Sequence, residues 1–318
     1  LQLETLTFYP SSPCNRLQDP QTRHNTSFAP QEIFSAMSSP TTPTFAQAPI
    51  GLFDSGVGGL SIWRALRQSL PNENLLYLAD SQCAPYGDRS PEWIIERTLC
   101  MTQLLVDQGC KALVIACNTA TLVAAQALRD TLSIPIIAIE PAIKPAAALS
   151  RSRSVALMAT SRTLDSSGLQ SLIDRYASDV EIIRIPCPGL ADRVEALQLS
   201  GPEIEAELRA RLAPALQSQA DTLVLGCTHY PFLRPTIEAI SGSRFHILEP
   251  SFAVAAQVHR RLEQANCLNT QAQAGNSAFI SSAPMEQARQ VIRALTGLAE
   301  PTMLTFPTQA GTRPIVAD

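Results

Sequence analysis

Two stretches of the chain, "LVIACNTATLV" at 113–123 and "LVLGCTHYPFL" at 223–233, put a cysteine at the same point of the same pattern. In each, an apolar run ends in the cysteine, and small polar residues lead into a second apolar run. A free thiol has a pKa of about 8.5, and the start of a helix lowers it, because unpaired N–H groups and the helix dipole favour an anion. Cys117 and Cys227 therefore read as two thiols of matched chemistry. If they flank one ligand from opposite sides, one thiolate can remove a proton from a stereocentre while the other thiol protonates the opposite face. That is racemisation by general acid–base catalysis. A cysteine hydrolase or lyase needs only one thiol, with a base and an oxyanion hole, so the second cysteine discriminates between the classes.

Other residues fit around this pair. Asp54 in "FDSGVGG" and His229, two residues after Cys227, can each accept a thiol proton. Gly56, Gly58 and Gly59 let backbone approach a ligand and begin a helix. Ser55, Asn118, Thr119 and Thr228 offer neutral hydrogen bonds to carboxylates. Each feature alone has a plainer reading. A lone strand-end cysteine is more often a small buried hydrophobe, and a lone histidine more often a core or surface residue. The glycines alone suggest a dinucleotide fingerprint with Asp80 as ribose partner, but Ser61 stands where the third glycine belongs. The joint arrangement favours the two-thiol reading.

The elements that must hold these residues alternate. "PIGLFD" (49–54), "NLLYLAD" (74–80), "ALVIAC" (112–117) and "PIIAIE" (135–140) read as buried parallel strands, with helix patterns at 59–69, 91–108 and 118–129. Ser90 before Pro91 is an N-cap with proline at the first helical position. A second series comes after: "SVALMAT" (154–160), "VEIIRIP" (180–186), "TLVLGC" (222–227) and "FHILEP" (245–250). Asp54 precedes Cys117 by 63 residues and Ala159 precedes Cys227 by 68, and both series end in Glu-Pro, at Glu140–Pro141 and Glu249–Pro250. One element order occurring twice implies an α/β fold of two pseudo-symmetric parallel-sheet lobes with the site between them. The expected division is 49–143 plus 252–306 for the first lobe and 144–251 for the second. The strand "AFISS" (278–282) and a helix near 285–297 return to one lobe.

The bulk composition narrows the function. The 318 residues are 45% apolar, which suits a globular protein with a real core, and no apolar run approaches a membrane span. A net charge of −4 with no Lys/Arg cluster argues against nucleic acid. Eight cysteines without CxxC pairs or an evident signal peptide point to reduced thiols and a cytoplasmic location. No P-loop lysine or metal-ligand spacing occurs, and two thiols make pyridoxal phosphate unnecessary, so the expected cofactor is none. Residues 1–48 are rich in Pro, Ser, Thr, Asn and Gln and read as a disordered extension, with Met37 as the expected true start. The tail from 307 to 318 reads as loose.

With these residues in view, the sequence resembles the glutamate racemases, within the wider aspartate/glutamate racemase superfamily. The stretches that carry the resemblance are "IGLFDSGVGGLSI" (50–62), "PYGDRS" (85–90), "VIACNTAT" (114–121), "AIEPA" (138–142) and "LVLGCTHYPFL" (223–233). It spans about residues 49–300. The resemblance implies that Cys117 and Cys227 are the acid/base thiols, that Asp54 assists one, and that His229 with Glu195 assists the other. It places substrate contacts at Asp54, Ser55, Tyr86, Gly87, Asn118, Thr119, Thr160, Thr163, Thr228 and His229. It implies cofactor-independent supply of D-glutamate for peptidoglycan, and hence for cell-wall biogenesis and cell shape.

Three positions depart from the family pattern. Asp192 and Arg193 stand where a Pro-Leu precedes Glu195. "LEPSFAV" (248–254) replaces an Asp-Ser pair, and "SQCA" (81–84) replaces a commoner Ala-Arg-Val strand. The last two bear on lobe contacts and oligomer geometry rather than on proton transfer. An apolar helix face at an interface would be consistent with a homodimer. A racemase for aspartate or another small acid, and a non-catalytic acid-binding protein, are the alternatives. The pairing of "GCTHYP" with "DSGVGG" argues for glutamate over aspartate, and the retention of both cysteines argues against the binding protein.

Overall fold

The structure is a computed structural model and describes residues 45–307. The expectations for the extension up to residue 44, for Met37 as the start and for the tail from 308 onward lie outside the described residues. Residues 45–48, expected from composition to belong to the extension, are part of the folded body. Phe45–Gln47 form a short 3-10 turn, and Asn74 donates from Nδ2 to Gln47 O at 2.7 Å.

The first series of strands is β1 (Ile50–Asp54), β2 (Leu75–Ala79), β3 (Ala112–Ile115) and β4 (Ile136–Ala138). The second is β5 (Ser154–Ala159), β6 (Glu181–Pro186), β7 (Thr222–Leu225) and β8 (His246–Leu248). β9 (Ser277–Ser281) and β10 (Thr302–Leu304) come last. One sheet has the order β10-β9-β2-β1-β3-β4 and the other β6-β5-β7-β8, and every pairing in both is parallel. The fold is thus two α/β lobes, each with an open parallel sheet. β1, β2, β3 and β7 are buried along their whole length, as continuous apolar runs flanked by helices must be. β10 was not visible in the sequence, because three half-buried residues on a sheet edge give no pattern.

Register sets the geometry of the carboxyl edges. Phe53 pairs with Ile115, so Asp54 and the residues after Ile115 emerge together. Met158 pairs with Leu225, so Ala159 and the residues after Leu225 do the same in the other sheet. Those edges are where an open parallel sheet binds ligands. Among the helices, α1 (Leu60–Ser69) comes after β1, α2 (Pro91–Asp107) precedes β3, and α3 (Asn118–Thr131) succeeds it. Ser90 caps α2 as expected, its hydroxyl accepting from Trp93 N at 3.3 Å. Four further helices help complete the frame of the second sheet: α4 (Ile143–Leu149), α5 (Ser161–Leu164), α6 (Ser167–Tyr176) and α7 (Leu190–Glu195). α8 (Pro202–Leu216), α9 (Arg234–Ser241), α10 (Ser251–Gln264) and α11 (Met285–Thr296) complete the helices among the described residues.

One local expectation changes. "SQCA" is not a strand: Ser81–Cys83 form a 3-10 turn, because β2 ends at Ala79 and the chain must bend away from the sheet. In "LEPSFAV", Ser251 is buried at the start of α10 while the ring of Phe252 is exposed.

A buried ion pair ties the first lobe's base. Lys111 Nζ lies 2.6 Å from Glu73 Oε2, and both side chains are out of solvent. The ammonium also donates to Ala46 O, and to Cys267 O at 2.8 Å, while Glu73 Oε1 accepts from Asn269 N at 2.8 Å. Lys111 thus fastens residues 45–47 and the 266–269 turn to the head of β3. Removing one partner of such a pair leaves an uncompensated buried charge. Lys111→Met is therefore expected to cost ~3–5 kcal/mol of unfolding free energy in urea titration, with Lys111→Met/Glu73→Gln recovering part of it.

Candidate active site

The carboxyl edges of the two sheets enclose a cavity. It is lined by Ser55, Tyr86, Gly87, Cys117, Asn118 and Thr119 from the first sheet's side, and by Thr160, Thr163, Cys227, Thr228 and His229 from the second's, with Pro85, Ala191 and Gly226 completing it. All but two of the residues expected to act or bind thus line one space. The two exceptions, Asp54 and Glu195, stand behind it. Ala191, on α7, carried no signal in the sequence, because a small apolar residue on a buried helix face looks like core.

Cys117 lies two residues beyond β3, as the N-cap of α3, where its Sγ accepts from Ala120 N at 3.4 Å. It is a half-in position with the free N–H groups of a 14-residue helix ahead of it. Ser55 Oγ donates to Cys117 Sγ at 3.4 Å and stands 3.3 Å from Asp54 Oδ1. Asp54 therefore does not meet the thiol directly. One hydroxyl hydrogen serves either the carboxylate or the sulfur, so Ser55 can turn to Cys117 when the sulfur is charged and back to Asp54 when it is not. Burial, then the Asp54 charge, push the Cys117 thiol up to about 12, against the pull of Ser55 and Ala120 N–H. Asp54 itself is raised above the usual carboxylate range by burial, which outweighs the His229 charge and the Gly59 N–H.

Cys227 differs. It lies two residues beyond β7, and the chain then enters not an α-helix but a 3-10 turn, Tyr230–Leu233, with i to i+3 bonds from Tyr230 N to Cys227 O and Phe232 N to His229 O. Pro235 has no N–H to give to the fourth residue back, so helix α9 starts only at Arg234. The helix-start argument made for both thiols thus holds for Cys117 alone. At Cys227 a side chain does the work: Sγ is 3.6 Å from His229 Nδ1, and His229 Nε2 is 2.7 Å from Glu195 Oε1. Burial pulls the His229 imidazole down, but its bonds to Cys227 and Glu195 outweigh this and hold it well above its ordinary value. The departure before Glu195 is harmless to this triad. Arg193 points outward to Glu207 at 3.2 Å, while Leu190, Ala191 and Val194 bury the other face of α7 and bring Glu195 to His229.

The polar lining is nearly all neutral. None of the lining residues is Lys or Arg. Thr119 Oγ1 lies 3.2 Å from Thr160 Oγ1 and 3.4 Å from Thr163 Oγ1, and Thr160 Oγ1 donates to Thr163 Oγ1 at 3.0 Å, so three hydroxyls meet across the two sheets. Both amide atoms of the buried Asn118 side chain lack a partner among the described residues. Tyr86 is held from behind, its hydroxyl donating to Asp80 Oδ2 at 2.7 Å, and Arg97 bonds both Asp80 oxygens at 2.7 Å. Asp80 is thus a buried brace for the Tyr86–Gly87 turn and not a ribose partner.

The glycines begin a helix as expected, with Gly59 at the N-cap of α1, and two of them also let the lobes meet closely. None of Gly56, Gly58 and Gly59 has a positive φ. A Cβ on Gly56 would stand 1.9 Å from Glu195 Oε1, and one on Gly58 would stand 2.4 Å from His229 Nδ1 and 2.7 Å from His229 N. At Gly56 and Gly58 the backbone closely approaches the other lobe's glutamate and histidine.

Two parallel-sheet lobes with a thiol from each in one cavity define the class of amino-acid racemases, and the family model described as Asp/Glu/Hydantoin racemase matches residues 60–258. A glutamate racemase of Ralstonia pickettii is 48% identical over 256 residues, covering 80% of this chain and 90% of the relative. The chain belongs to the glutamate racemases. Among solved structures, that of Francisella tularensis glutamate racemase in complex with D-glutamate aligns with a TM-score of 0.73 at 27% identity, over 82% of this chain and 98% of that one. The Escherichia coli glutamate racemase, in complex with L-glutamate and the activator UDP-MurNAc-ala, aligns with a TM-score of 0.71 at 30% identity, over 81% and 97%.

Proposed function

We propose that this chain interconverts L-glutamate and D-glutamate without a cofactor, using Cys117 and Cys227 as the two proton carriers. The observation that carries the reading is the pair of thiols in one cavity, each with its own and different acid–base partner. In one direction the Cys227 thiolate takes the α-proton, the α-carbon holds the electron pair, and the Cys117 thiol gives its proton to the opposite face. The enzyme then carries a Cys117 thiolate and a Cys227 thiol, ready for the reverse reaction. His229, with Glu195 behind it, stabilises the Cys227 thiolate as an imidazolium. The Ser55 hydroxyl, backed by Asp54, does so for Cys117. Burial and the Asp54 charge favour the protonated form of Cys117, which suits it to the acid's part in this direction.

The substrate's carboxylates are received by neutral donors: Ser55, Asn118, Thr119, Thr160, Thr163, Thr228 and the backbone near Gly87 and His229. The unpaired amide of Asn118 supports this, since a buried amide with no partner is costly unless a ligand supplies one. The lobe division at 49–143 with 252–306 and 144–251 belongs to the same reading, as do a homodimeric state and a cytoplasmic role supplying D-glutamate to the cell wall. In support of the location, Cys83, Cys110, Cys117, Cys187, Cys227 and Cys267 are free thiols, as a reducing compartment would keep them.

The test is circular dichroism of L-glutamate and of D-glutamate in D₂O with reduced protein and no added cofactor. Loss of optical activity from both, with deuterium entering the α-carbon, is the expected result. Unchanged rotation from folded protein would overturn it, and activity on L-aspartate instead would move the substrate assignment.

A further inference from the structure

One peptide unit in the glycine loop is held at both ends. The Gly56 carbonyl accepts from Tyr77 Oη at 2.8 Å, and the N–H of the same unit, that of Val57, donates to Glu195 Oε1 at 2.7 Å. Glu195 Oε1 is also the atom 2.7 Å from His229 Nε2, which leads to Cys227. Tyr77 lies on β2 of the first sheet, fully buried, with its ring 6.3 Å from that of Phe279. A buried phenol must place its proton, and the Gly56 carbonyl is the acceptor that takes it. Burial, and then the charges of Asp54, Glu195 and Cys117, push its ionisation well above the ordinary range, so it stays a donor.

A peptide plane is rigid, so fixing its carbonyl fixes the direction of its N–H. We propose that Tyr77 is a positioning residue for the Cys227 half-site: by holding the Gly56–Val57 peptide it aims the Val57 N–H at Glu195 and so sets the charge that Glu195 presents to His229. The chain of contacts runs from the core of one sheet, across the interface, to the thiol of the other. It rests on the reading that His229 and Cys227 act as a proton-transfer pair. Without the hydroxyl the peptide is free to turn, Val57 N–H leaves the carboxylate, and the undiminished charge holds the imidazolium more firmly. The titratable groups facing His229 are Cys227 and Glu195, with Asp54 across the interface.

Tyr77→Phe, Glu195→Gln and the double variant test this. Tyr77→Phe is expected to lower kcat about tenfold, the worth of one oriented buried hydrogen bond, with KM within about twofold. It is expected to raise the His229 ring titration midpoint seen by NMR. In the Glu195→Gln background the same substitution is expected to do almost nothing further, because the two residues act as one unit. Multiplying losses in the double variant, or an unmoved or lowered His229 midpoint in Tyr77→Phe, overturn the proposal. Should Tyr77→Phe not fold, the Val57 amide proton decides: a shift on Glu195→Gln is expected, and an unchanged resonance overturns. If Cys227→Ser still racemises glutamate, the catalytic reading fails instead, while the NMR measurements, made without turnover, still judge the clamp.

Discussion

Replacing either Cys117 or Cys227 by serine is expected to lower racemisation of both glutamate isomers by about 10³-fold or more, the scale of a lost general acid or base. The serine hydroxyl fits the space but neither accepts nor returns a proton at neutral pH. The loss is expected on kcat rather than KM, since the neutral lining proposed to receive the carboxylates is otherwise untouched. The two variants are also expected to differ. Cys227→Ser leaves the His229–Glu195 pair intact beside a hydroxyl, so a remnant of base function survives there. Cys117→Ser leaves only Ser55 and the helix start. Polarimetry of each variant with each isomer is the check, and a variant that keeps even a tenth of the wild-type rate would remove its thiol from the mechanism.

The second large effect is expected at Gly58. Gly58→Ala puts a methyl group 2.4 Å from His229 Nδ1, 2.6 Å from Thr228 Oγ1 and 2.7 Å from the His229 backbone nitrogen. A flexible side chain can swing away, but backbone cannot, so the lobes must part at this point. The expected result is a loss of about 10²-fold or more in kcat/KM, because an ångström of misplacement between reacting groups costs on that scale. The accompanying destabilisation is ~1–3 kcal/mol, the usual cost of overpacking. Thermal melting and steady-state kinetics together separate the two. A folded Gly58→Ala variant with wild-type kinetics would show that the close approach of the loop to His229 is not needed in turnover.

The same glycines show where sequence reasoning stops. Their spacing was legible, and so were the strands on either side, because a fully buried parallel strand writes itself as an unbroken apolar run. "IGLFD" and "TLVL" are of this kind. The two cysteines were legible because a repeated pattern marks them. The crowding at two of them was not, since it comes from side chains of the other lobe that fold against them, Glu195 at Gly56 and His229 at Gly58. His229 and Glu195 were brought together by resemblance, and the structure supplies the geometry: α7 must turn its Leu190–Ala191–Val194 face inward for Glu195 to arrive. Tyr77 gave no signal at all. Within "LLYLA" it reads as one more core aromatic, and only the carbonyl at its hydroxyl shows otherwise. The different settings of the two thiols also escaped the sequence, where both cysteines look alike. Pro235, just past the Tyr230–Leu233 turn, decides which one caps a helix.

The depth of the thiols gives the molecule a memory. Cys117 is 5% and Cys227 8% exposed, in a cavity closed by bonds between the lobes such as Thr228 Oγ1 to Asp54 at 3.1 Å. Each passage through the proposed reaction ends with the proton on the other sulfur from where it began. On that proposal the free enzyme exists in two forms, one that has just made the D isomer and one that has just made the L. They interconvert only when a proton crosses from one side of the cavity to the other or exchanges with the outside. When substrate is plentiful and arrives faster than that exchange, the enzyme waits on itself rather than on its substrate, and a hydrogen isotope taken from one molecule is handed to the next.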